Sequence, residues 1–151
     1  MYNQLSLPIN IFEPTDFSEI DKTPDNELAI NWLTTWGNQN AIKINYTCLV
    51  GEYAPLFASI WSRTNDATVL PSDARLFKNW YKIIEKKNNN KCYTLNFPEL
   101  IKDENMVLYI LNLVKENNSY LLLTSDIHPR DWCIELPDLK SRISTINVFT
   151  C

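Results

Sequence analysis

Side chains able to do covalent or acid–base chemistry are sparse in this chain and rarely stand together. His128 is the sole histidine, set between Ile127 and Pro129 in a loop context that supplies no partner for general-base work. Cys48, Cys92, Cys133 and Cys151 are scattered without a C-x-x-C pair. That pattern argues against a tetrahedral zinc site and against a secreted disulfide framework, and points to reduced thiols. Gly37 and Gly51 are the only glycines, few for a loop that must bring backbone amides against phosphate. What remains is recognition. The leading Gln4-Leu5-Ser6-Leu7-Pro8-Ile9 has the make-up of a short extended peptide that fills a preformed groove. Leu7 and Ile9 are the apolar plugs, Pro8 limits the freedom lost on binding, and Gln4 offers both a donor and an acceptor. The same residues also suit an edge strand, or an apolar tail packed on its own domain.

Composition bounds the setting. A chain of 151 residues, 45% hydrophobic and 21% charged, fits one globular domain with a real core. The net charge of −4 is a poor start for binding duplex DNA, which rewards clustered Lys and Arg. Direct DNA binding is therefore the weakest reading, and a role near DNA would run through a partner. No apolar run reaches the roughly 18 residues needed to span a bilayer, and the first residues lack a basic-then-apolar leader pattern. The expected location is the cytoplasm, with no membrane contact.

Pro8 and Pro14 interrupt residues 1–22, which read as an extended segment. Thr23 is placed as an N-cap, followed by Pro24 and a helix with Leu28, Trp32, Leu33 and Trp36 on one face and Gly37 as its stop. A strand is expected over Ile42–Val50. A short helix over Pro55–Ser62 turns Leu56, Ala58 (or Phe57), Ile60 and Trp61 inward, and a brief strand covers Ala67–Leu70. A helix opening at Ser72 and Asp73 carries Leu76, Phe77, Trp80, Ile83 and Ile84, and the Lys86–Lys91 stretch is a polar turn. Then come a strand at Cys92–Phe97, a helix over Asp103–Glu116 burying Val107, Ile110, Leu111 and Val114, and a strand at Tyr120–Thr124. A short helix over Pro137–Ile143 and a last strand at Ile146–Phe149 complete the set. Such alternation calls for an α/β fold, a five-stranded parallel sheet with helices on both faces.

Three stretches together resemble the Hda family, regulatory inactivators of the replication initiator DnaA. The first is Gln4-Leu5-Ser6-Leu7-Pro8-Ile9, similar to the family's clamp-binding peptide. The second is Asp16-Phe17 followed by Asn26-Glu27, Ala29, Asn31-Trp32-Leu33 and Trp36, similar to the helix entering the AAA+ domain. The third and most specific runs through Leu121-Leu122-Leu123-Thr124-Ser125-Asp126, Pro129-Arg130-Asp131-Trp132 and Leu136-Pro137-Asp138-Leu139-Lys140-Ser141-Arg142. It resembles the sensor 1 strand and box VII arginine segment. The resemblance implies an AAA+ core over residues 23–151 without the family's helical lid, preceded by the clamp-binding segment over 1–22.

It also implies partners: the DNA polymerase III sliding clamp (beta subunit), bound through Gln4, Leu5, Leu7, Pro8 and Ile9, and DnaA. The nucleotide site departs from the family pattern. After Leu49-Val50-Gly51 stand only Glu52, Tyr53, Ala54 and Pro55 before the next helix, a loop short by about three residues and lacking its lysine and hydroxyl. Asn96 stands where an acidic Mg²⁺ partner belongs, and Glu99, Asp103 and Glu104 nearby suit caps for the following helix. Asp126 takes the sensor 1 position, with a structural role the alternative. No cofactor is expected, and the chain is read as a pseudo-ATPase. Arg142 corresponds to the arginine finger, which acts in trans on a neighbour's nucleotide; the alternative is a structural arginine paired with Asp138. The functional readings are an Hda-like regulator, a clamp adaptor or competitor with no action on DnaA, a degenerate remnant of an initiator ATPase, and an NTPase using an unconventional loop. Self-association through surface that the lid would cover is a further expectation.

Overall fold

Every residue from Tyr120 to Ser125 is buried, and a strand without a wet face needs a layer on each side. The computed structural model, which describes residues 14–37, 43–70, 82, 84, 90–96 and 103–151, places this strand at the centre of such a sandwich. Its strands are β1 (Tyr46–Val50), β2 (Thr68–Leu70), β3 (Cys92–Asn96), β4 (Tyr120–Ser125) and β5 (Asn147–Thr150). They form one five-stranded sheet in the order β2-β3-β4-β1-β5, with every pairing parallel. Register sets Cys48 beside both Leu123 and Val148, and Leu95 beside Leu123.

Side chains alternate across the pleat, so each strand feeds two cores. Leu49 and Leu122 face α1 (Glu27–Thr35) and α2 (Ala54–Asn65), where Ile30, Leu33, Phe57 and Ile60 cover them. Tyr46, Cys48, Leu95, Leu121 and Leu123 face the other way, toward α3 (Glu104–Glu116) and α4 (Pro137–Ile143). The α/β sandwich expected from the alternation of elements is present.

Agreement is closest where the apolar period is clean. In α3 the buried residues are Val107, Ile110, Leu111 and Val114, and Asp103 caps the helix by accepting from the Met106 amide at 3.0 Å. The span of α4 is the expected one. Corrections fall near the chain's entry to the fold. Residues 14–22 are not simply extended: Asp16 accepts from the Ser18 amide at 2.8 Å and opens a 3-10 turn over Phe17–Glu19. Thr23 does not cap α1. Its carbonyl instead accepts from the Asn26 and Glu27 amides, and Asn26 Oδ1 accepts from the Thr23 amide at 2.7 Å, so a turn precedes a helix that starts at Glu27. The buried stripe of α1 is Ala29, Ile30 and Leu33, and Leu28, placed inward by the sequence reading, is 72% exposed. It lies one position, about 100°, off that stripe. In α2, Ala54, Phe57, Ile60 and Trp61 are buried, while Leu56 and Ala58 are half-buried. Strand β1 is shorter than expected, and β5 is shifted one residue onward, with Ile146 buried just ahead of it. Of the helix expected after Ser72, Lys82 and Ile84 are described; both are helical, and Ile84 is fully buried.

Tryptophans lock the first layer. Trp36 and Trp61 stack at 4.9 Å, and Trp32 stacks on Trp36 at 6.2 Å and on Phe149 at 5.8 Å. Each indole N–H is satisfied: Trp61 donates to the Trp36 carbonyl, Trp36 to the Ile44 carbonyl and Trp32 to Thr47 Oγ1. Such pairs add about 0.5–1.5 kcal/mol each beyond their buried area. Gly37 ends α1 at φ +95, and a Cβ there would come 2.7 Å from Cζ2 of Trp61. Because that ring is stacked and hydrogen-bonded, it has little room to retreat. Gly37→Ala is expected to destabilise the fold by about 1–3 kcal/mol, read as a lower urea midpoint at unchanged slope.

Candidate functional site

The link between β1 and α2 is where phosphate recognition would have to be built. Gly51 adopts φ +127, and a Cβ on it would lie 2.0 Å from the Cys151 carbonyl oxygen. That approach admits glycine alone. The chain after β5 is pinned there, because the Cys151 amide donates to the Val50 carbonyl at 2.8 Å and the Tyr53 amide donates to the Cys151 carbonyl at 3.4 Å. The Ala54 amide donates to the Gly51 carbonyl at 3.2 Å, and Pro55 has no N–H. A phosphate cradle needs convergent free amides; here Tyr53 and Ala54 spend theirs within the chain.

Beside this link opens a cavity of about 880 Å³. Ile20, Leu56 and Phe57 give it apolar wall, Tyr53 stacks on Phe57 at 6.5 Å, and Asp21, Asp25 and Glu52 are the Asp and Glu residues of its described lining. None of its described lining residues is Lys or Arg. Its size suits a nucleotide, but its charge opposes one, since carboxylates repel phosphate unless a cation intervenes.

At the end of β3, Asn96 is exposed and accepts from Thr124 Oγ1 at 3.0 Å. A neutral amide in that place brings no charge for Mg²⁺. Asp126 is exposed in the bend after β4. The organising residue there is its neighbour Ser125, whose Oγ donates to the Ile127 carbonyl at 2.8 Å and accepts from the Ile127 amide and from Trp132 Nε1 at 3.1 Å. Trp132 is buried. His128 acts locally, its Nδ1 accepting from the Arg130 amide at 3.1 Å.

Arg142 lies at the end of α4, half-buried. It donates from Nη2 to Asn112 Oδ1 on α3 at 2.8 Å, so its bond crosses to the neighbouring helix and not to Asp138. Beneath it Tyr46 donates its hydroxyl to the Leu111 carbonyl. Burial pushes the Tyr46 phenol up to about 12, against a smaller opposing pull from the Arg142 charge. Glu104, expected as a cap of its own helix, reaches further. Its Oε1 accepts from the Leu136 amide at 2.7 Å, and both carboxylate oxygens accept from the Glu135 amide. It thereby fixes the chain just ahead of α4. Asn112, Ser125 and the reach of Glu104 carry no sequence signal, because Asn112 partners a residue thirty positions away, Glu104 binds backbone amides about thirty positions on, and Ser125 bonds the Ile127 backbone and the Trp132 indole.

Burial also pushes the Cys48 thiol up to about 12, with Cys151 a lesser contributor, and Cys151 up to about 11. Both are poor nucleophiles for that reason. The peptide Gln4, Leu5, Leu7, Pro8 and Ile9 lies outside the described residues, as does Glu99.

The strand order and the helix layers define an α/β fold in which a five-stranded parallel sheet lies between layers of helices. Among solved structures the chain is similar to the replication initiator DnaA bound to AMPPCP and single-stranded DNA, with a TM-score of 0.66 at 14% identity over 90% of this chain and 49% of that one. It is similar to DnaI, with a TM-score of 0.69 at 11% identity over 93% of each chain. It is also similar to domain III of the Thermotoga maritima replication initiation protein DnaA, with a TM-score of 0.63 at 16% identity over 90% of this chain and 66% of that one. The chain thus spans about half the length of the first of these. No family model matches it, and no curated protein does. At these identities the likeness is one of fold.

Proposed function

We propose that this chain is an Hda-like, cytoplasmic regulator of DNA replication initiation that binds the sliding clamp and contacts DnaA without binding or hydrolysing ATP itself. The observation that carries the nucleotide-free part is the β1–α2 link. Its Gly51 is pressed against the Cys151 carbonyl, its Tyr53 and Ala54 amides are used internally, and the adjoining cavity bears Asp21, Asp25 and Glu52. A triphosphate entering there would meet negative charge, and the Tyr53 and Ala54 amides are already bonded. Isothermal calorimetry with ATP or ADP and Mg²⁺ is expected to give no heat of binding; saturable binding below 1 mM would reject this part.

Clamp recognition rests on the pattern Gln4-Leu5-Ser6-Leu7-Pro8-Ile9, a peptide whose apolar residues plug a groove while glutamine sets register. Replacing Gln4, Leu7 and Ile9 together by alanine should abolish pull-down of the clamp and leave the melting temperature almost unchanged. Clamp retention by that variant would sink the assignment.

Action on DnaA is assigned to Arg142, which in trans would stabilise charge developing on a transferring phosphoryl group. Clamp-bound protein is then expected to accelerate hydrolysis by ATP-loaded DnaA, and Arg142→Ala to remove most of the acceleration. A second reading, a clamp adaptor that leaves DnaA alone, draws support from the bond that ties Arg142 to Asn112. Wild-type protein that binds the clamp but leaves DnaA hydrolysis unchanged would favour it.

A further inference from the structure

A second recess lies on the far side of β5 from the acidic cavity and has the opposite charge. Trp132, Ile143, Ile146 and Val148 line this groove of about 460 Å³, and its ionisable residues are His128, Arg130 and Lys140, with no carboxylate among its described lining. In a chain whose net charge is −4, that is a local reversal of sign. Arg130 lies 3.9 Å from Asp131, but its side chain is 75% exposed, and so loose a surface pair holds it weakly.

The groove borders a sheet edge. Among the described residues β5 pairs with β1 alone and ends the strand order. The Cys151 amide donates inward to Val50, so strand alternation turns the N–H and C=O groups of Val148 and Thr150 outward. An exposed edge is a template for another strand, and Val148 belongs to both the edge and the groove. A strand added beside β5 would therefore set alternate side chains into the recess.

We propose that this edge and groove form a docking surface for an acidic segment of a partner protein, added as a further parallel or antiparallel strand beside β5. Its apolar residues, at every second position, fill the recess against Val148, Ile143 and Ile146. Its carboxylates meet Arg130 and Lys140, which supply the sign selection. This surface involves neither Gln4–Ile9 nor Arg142, so it stands whether or not the clamp and DnaA assignments hold.

The test uses the full chain and two sets of fluorescein-labelled octapeptides with leucine, isoleucine or valine at alternate positions, one ending in aspartates and one in lysines. Members of the acid-ended set should bind in fluorescence anisotropy, with amide shifts at Val148 and Thr150 in ¹⁵N spectra. The joint Arg130→Glu and Lys140→Glu variant, both changes being at exposed positions, should weaken binding at least tenfold and admit the lysine-ended set. N-methylation of alternate peptide amides on the pairing edge should abolish binding. The proposal is overturned by no binding from the acid-ended set, by equal binding of both sets, or by binding indifferent to N-methylation. Preferential binding of an oligothymidine, or self-association of the wild type that Lys140→Glu dissolves, would assign the surface to nucleic acid or to a second copy and likewise overturn it.

Discussion

Burial of β4 at every position is the constraint from which the remaining architecture follows. A strand with no wet face cannot sit at an edge or in a single-faced sheet, so helices must lie above and below it. Its neighbours β1 and β3 then inherit two buried faces as well, and apolar pairs such as Cys48–Leu123 and Leu95–Leu123 build the sheet laterally. The sites follow from that sandwich. The ends of β1, β3 and β4 converge on one rim, while α3 and α4 present Asn112 and Arg142 on a shared face.

At that rim the β1–α2 link uses the backbone donors of Tyr53 and Ala54 for itself. Phosphate recognition depends on amides that fold without partners and find one in the ligand. Here Tyr53 and Ala54 already have theirs, and a short link leaves no slack to free them. The acidic cavity strengthens the contrast, because the charge around it would attract cations.

Much of this was legible in the sequence, and the limits are physical. The period of Val107, Ile110, Leu111 and Val114 fixes the buried face of α3, and the apolar run of β4 fixes its central position. Around Thr23 local signals compete: the Thr-Pro pair suggests a cap, yet Asn26 makes the closer bond to the Thr23 amide and moves the helix start to Glu27. Leu28, one position off the buried stripe of Ala29, Ile30 and Leu33, is left in solvent. For the site, the sequence showed Gly51 followed by Glu52, Tyr53, Ala54 and Pro55, with no lysine among them. It could not show that Cys151, a hundred residues on, delivers its carbonyl to Gly51, since chain separation of that length leaves no local trace. Arg142 was visible, whereas its partner was not: Asp138, one helical turn away, was the obvious choice, and Asn112 on another helix is the actual one.

The contact between Gly51 and the Cys151 carbonyl makes this arrangement hard to undo. Introducing a lysine at the link would add charge but would leave the amides occupied. Lengthening the link would free amides but would strip the end of β5 of its anchor. Substituting Gly51 would force the two segments apart. Lengthening the link or substituting Gly51 thus costs stability before it yields any contact to a ligand.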